Sequence, residues 1–92
     1  MERKQQFLEW LRKDDWYTVG SADAALGRIS GISTHIGKDV YALSSAEADL
    51  VRDKIVDGQL LANWKKHEMD SFATALSRYS DFAKIYPAAI SQ

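Results

Sequence analysis

From His67 to Pro87 the chain reads HEMDSFATALSRYSDFAKIYP, and this stretch limits the fold more than any other. Met69, Phe72, Ala73, Leu76, Tyr79, Phe82, Ala83 and Tyr86 recur at intervals of three and four. Asp70, Ser71, Thr74, Ser77, Arg78, Asp81 and Lys84 fill the complementary positions. At about 3.6 residues per turn this spacing lines the apolar side chains along one face of a helix. Pro87 is the only proline. It ends the helix because it carries no N–H and its ring disfavours the helical conformation at Tyr86. Burying the aromatic rings and Leu76 contributes about 1.5–3 kcal/mol per side chain before entropy costs. The rest of the core is expected to pack around this helix.

Three further helices follow from the same periodicity. Residues 2–13 place Phe7, Leu8 and Leu11 on one face with Trp10 at its edge. The run DDWYTVGS breaks that pattern, and Trp16, Tyr17 and Val19 are expected to fold back as an apolar connection. Ser21 is a candidate N-cap for a second helix, ADAALGRISGIS, which carries Ala22, Ala25, Leu26, Ile29 and Ile32 at helical spacing and ends near Ser33 or Thr34. Gly27 and Gly31 weaken this helix by up to about 1 kcal/mol each, or permit the close approach of another backbone. A turn at Gly37 leads to an apolar segment with Val40, Tyr41 and Leu43. Ser44 and Glu47 have capping-box spacing at the start of a third helix. Leu50, Val51 and Ile55, with Leu43 as a candidate fourth member, form its expected buried stripe, and Gly58 is its C-terminal stop. DVYAL is the only strand-like piece and is too short to build a sheet. The expected fold is all-α, a four-helix orthogonal or bundle-like array forming a single domain over residues 1–92, with its core at about 5–86.

Size and composition narrow the possible functions. A chain of 92 residues buries roughly 60–65% of its unfolded surface, enough for one modest core. Its 46% hydrophobic and 27% charged residues are those of a globular chain, not a disordered one. Without cysteine there is no thiol nucleophile or thiolate metal ligand, and the composition suits a reducing cytoplasm. No stretch has the ~18 apolar residues of a membrane span, and no apolar region follows the charged start as it would in a signal peptide. His35 and His67 are the only histidines and lie outside any ligand spacing. No phosphate-binding glycine loop or GxSxG nucleophile context occurs, so neither catalysis, a metal nor a cofactor is expected.

Two kinds of surface remain. Arg28, Ser33, Thr34, His35 and Lys38 gather in and after the second helix. Lys65 and Lys66 open the last helix, and Arg78 lies further along it. Lysines at a helix N-terminus oppose the helix dipole, so they invite a reason such as phosphate contact. The competing reading is ordinary solvated surface. The segment ALGRISGISTHIGKDV loosely resembles a helix-turn-helix, although its glycine and alanine spacing departs from that motif. On the third helix, Asp49, Asp53 and Asp57 stand at i, i+4 and i+8. They form either a solvated, ion-paired face or a surface for a basic protein partner. The net charge of −1 differs from the strongly basic balance of a dedicated nucleic-acid binder, so any such role must rest on local patches.

The order FLEWL, then LGRISGISTHIGKDVYALSSAEADLVRDKI, then SFATALSRYSDF resembles the small helical N-terminal domain that precedes nuclease domains in some bacterial restriction-type endonucleases and related defence proteins. Ser71, Ala75, Leu76, Tyr79 and Phe82 match its closing helix, and Leu26, Ile29 and Ser30 match an earlier element. The helical arrangement is also similar to the SAM-like core-binding domain of tyrosine recombinases. The resemblance implies a non-catalytic DNA-binding accessory domain of a bacterial or phage protein. The alternative is a small protein-interaction module using the acidic helix face or exposed aromatics.

Overall fold

A computed structural model of the chain describes residues 3–13, 19–60 and 63–87. Among these residues there are four α-helices and no strand: α1 (Arg3–Arg12), α2 (Val19–Ile36), α3 (Ser45–Val56) and α4 (Lys66–Ile85). A single 3₁₀ turn, Val40–Ala42, lies between α2 and α3. The fold is all-α and bundle-like. The expected fold-back of Trp16 and Tyr17 lies outside the described residues.

α4 occupies the centre, packing against α3 most extensively and against α2 and α1 as well. Its Leu76, Tyr79 and Phe82 are fully buried, and so are Ala75 and Ser80 to within a few per cent. Ala75 and Ser80 lie beside the predicted stripe, so α4 buries a broader arc than its large apolar residues mark out. Phe7 of α1 fits among the rings of Tyr79 and Phe82, with centroids 5.7 and 5.3 Å away. Trp10 closes the edge of this cluster 5.8 Å from Phe82. Tyr86, expected on the apolar face, is exposed at the C-cap next to Pro87.

The ends of the helices follow local chemistry. The Ser44 hydroxyl accepts from the Glu47 N–H at 3.1 Å, and the Glu47 carboxylate accepts from the Ser44 N–H at 3.0 Å, completing the expected capping box. α3 stops at Gly58, whose φ of 77° suits a residue without Cβ. The Gly58 N–H bonds the Ile55 carbonyl and the Gln59 N–H bonds the Lys54 carbonyl, the pairing of a Schellman motif. α2 differs from expectation at both ends. It already includes Ser21, which is therefore not its N-cap, because extending a formed helix adds a bond for each residue fixed. It runs through Ser33 and Thr34 to Ile36 and stops only at Gly37, φ 68°. The stretch read loosely as a helix-turn-helix is thus one uninterrupted helix followed by a 3₁₀ turn.

Leu50 is the main correction to the predicted core, being 64% exposed. Ser45, Ala48, Arg52 and Ile55 recur at three- and four-residue steps and face α4. The Ser45 and Ser80 hydroxyls lie 2.8 Å apart, Arg52 reaches Ser77, and Ala48 and Ile55 are buried. That register turns Leu50 to the opposite side of α3.

Arg3 ties the elements together over long sequence separations. Its guanidinium donates to the Tyr41 carbonyl and the Tyr86 carbonyl at 2.7 Å each and to the Tyr79 hydroxyl at 3.2 Å. It also lies over the Phe82 ring, 5.1 Å from the centroid. A cation there complements the C-terminal end of the α4 dipole. The Tyr79 hydroxyl in turn donates to the Leu43 carbonyl at 2.7 Å.

Candidate functional site

The structure brings the two basic segments of the sequence together through one aromatic side chain. His35, in the last turn of α2, packs edge-on against Trp64, with ring centroids 5.1 Å apart. Trp64 immediately precedes Lys65 and Lys66, and its ring also meets Phe72, with centroids 4.6 Å apart. The approach of α2 to α4 depends on Gly31. A Cβ there would meet the Phe72 ring at 3.0 Å. Of the two readings of the glycine pair, close approach holds at Gly31, where the neighbour is a ring and not a backbone, while Gly27 faces open space.

Arg28, Gly31 and His35 share one stripe of α2, since residues seven apart fall two turns along the same face. With Gly31 on Phe72 and His35 on Trp64, Arg28 extends this border by about 10 Å beyond His35. Lys65 is the N-cap residue of α4 and provides no side-chain acceptor to its first turn. His35, Lys65 and Lys66 are exposed, and Trp64 is half-buried. Glu68 in the first turn of α4 is the acidic group that complements the helix dipole here.

The other predicted basic-surface residues have different surroundings. The Ser33 hydroxyl accepts from the Val40 N–H at 3.0 Å, and the Thr34 hydroxyl donates to the Ser30 carbonyl at 3.2 Å, so both serve local structure. Lys38 is exposed and lies near Glu47 beside α3. Arg78 is about 18 Å along α4 from Lys66. Its guanidinium lies over Trp10 at 5.1 Å and pairs with Asp81 at 3.9 Å, drawing it toward α1.

The acidic stripe carries its own counter-ion. Arg52 approaches Asp49 at 3.2 Å and Asp53 at 3.3 Å, dividing the line of carboxylates. Among the described residues no group of three or more histidine or acidic side chains is placed to hold a metal ion, and no helix is long and apolar enough to cross a membrane.

The shifted ionisations lie away from the basic face. Burial pushes the Tyr41 and Tyr79 hydroxyls above the ordinary tyrosine range, and Arg3 partly opposes this at Tyr79. Hydrogen bonds from Ser44 hold the Glu47 carboxyl below its usual range. The Arg3 junction was not foreseen, because its partners lie far along the chain. No family model, no curated protein and no solved structure matches this chain.

Proposed function

We propose that this chain is a non-catalytic nucleic-acid-binding module, using the face formed by His35, Trp64, Lys65 and Lys66 with Arg28 alongside. The observation that carries the reading is the packing of His35 on Trp64, which joins two basic segments distant in sequence at the N-terminal end of α4. Exposed cations neutralise phosphates, helix N-terminal amides donate to phosphate oxygens, and an adjacent aromatic ring offers a surface to a base or sugar. The resemblance to DNA-clasping helical domains of restriction-type endonucleases and recombinases supports the same class. A bacterial or phage protein in which a separate domain performs the chemistry fits this role. Arg52, placed between Asp49 and Asp53, offsets part of the acidic stripe and so counts in part against the protein-interaction alternative.

Fluorescence anisotropy of labelled duplex and single-stranded DNA at two salt concentrations tests the proposal. Binding is expected to weaken steeply with salt as condensed counterions are released. Lys65→Ala and Lys66→Ala should each lower the salt slope by about one. A salt-independent interaction, or one indifferent to both substitutions, would remove this face from the account.

A further inference from the structure

The exposed side of α3 carries a pattern that is complementary to itself. Glu47, Leu50, Val51 and Lys54 lie at i, i+3, i+4 and i+7 along one stripe, in which Glu47, Leu50 and Lys54 are exposed and Val51 is half-buried against the edge of the core. Leu50 is 64% exposed, although leucine at such a spacing ordinarily belongs to a core. The stripe forms one wall of a groove of about 370 Å³, lined elsewhere by Ile36, Leu43 and Leu60, with Lys38 near Glu47.

We infer that this groove is the contact surface for a second copy of the chain, packed through antiparallel α3 helices about a two-fold axis. With the axis between Leu50 and Val51, Leu50 faces the second copy's Val51. Glu47 then faces the second copy's Lys54, and symmetry repeats both contacts. Two apolar contacts at the centre are flanked by two pairs of opposite charge. The partner requires no unidentified chemistry, because the same short stripe supplies both knob and counter-charge. Glu47 enters such a pair ionised, since its bonds to Ser44 hold its carboxyl below the usual range. The Ser44 N–H engages Oε1 of an exposed side chain. One groove and one helix face make a small interface, placing the dimer among weak, concentration-dependent associations.

Sedimentation equilibrium of the whole chain from about 10 µM to about 1 mM reads this directly. The mean mass should rise toward that of a dimer across the range. Leu50→Glu should weaken association at least about tenfold, a factor equivalent to 1.4 kcal/mol, with an unchanged circular dichroism spectrum because Leu50 is outside the core. Lys54→Glu alone and Glu47→Lys alone should each be monomeric. Mixed in equal amounts they should form a heterodimer, since every facing pair is then opposite in charge. A wild-type chain that stays monomeric throughout, a Leu50→Glu variant that associates as tightly as wild type, or folded charge variants that fail to complement would each overturn the inference.

Discussion

Tyr79 and Tyr41 lie in the same ring cluster with centroids 5.8 Å apart, yet removal of their hydroxyls should have opposite consequences. The Tyr79 hydroxyl donates to the Leu43 carbonyl at 2.7 Å and accepts from Arg3 at 3.2 Å, and its side chain is wholly buried. Tyr79→Phe leaves the ring in place but strands a carbonyl and one guanidinium N–H. The lost hydrogen bond and the unsatisfied group together cost about 1–3 kcal/mol. For a domain of this size that lowers the melting temperature by about 5–20 °C. The Tyr41 hydroxyl is buried without a hydrogen-bond partner among the described residues. Tyr41→Phe removes a desolvated polar atom and should therefore be neutral or slightly stabilising, since such a group left unpaired itself costs free energy. Urea titrations of both variants, followed by circular dichroism at one temperature, give the two values side by side. If Tyr79→Phe changed stability by less than about 0.5 kcal/mol, or if Tyr41→Phe were the more damaging, the hydrogen-bonded junction of Arg3, Tyr79 and Leu43 would not be a principal tie between α1, α4 and the 3₁₀ turn.

Other consequences are as direct. Both tyrosines have folded-state pKa values raised above the ordinary 10.0. Their contribution is fully present below that value and is lost as pH rises above it, so stability should decline in the alkaline range, less steeply in Tyr41→Phe. Thermal scans between neutral pH and about pH 11 measure this. Gly27→Ala meets open space inside a helix and should stabilise by about 0.5–1 kcal/mol. Gly31→Ala carries the same helix preference but must displace Phe72, so it should gain less or lose stability. The difference between the two alanine variants in one denaturation series isolates the cost of the close approach.

The parts of this fold legible in the sequence are those determined within a few residues. The Ser44–Glu47 capping box, the stop at Gly58 and the end of α4 before Pro87 each depend on neighbours three or four positions away. The α4 stripe is equally clear because its large apolar residues recur over five turns. Leu50 misled because periodicity identifies a helix without specifying which side meets a neighbour. The true contact face of α3 uses Ser45, Ala48 and Arg52, small or polar residues that a search for apolar stripes passes over. Arg3 was illegible for another reason: its acceptors are 38, 76 and 83 residues away. The basic face was half legible. Its lysines and histidine stood out, but their meeting depends on Trp64 lying against His35 and on the absence of a Cβ at Gly31.

The proposed binding face is tested most directly by moving the same charge change around the molecule. Lys65→Glu with Lys66→Glu and Lys4→Glu with Lys13→Glu alter the net charge equally, and all four lysines are exposed. Anisotropy of a labelled DNA probe, read at one low salt concentration, compares the two double variants. The α4 pair should reduce affinity by at least about tenfold more than the α1 pair, because only the former removes direct phosphate contacts. Equal losses would mean that binding follows overall charge, and retention of binding by the Lys65, Lys66 variant would contradict the account.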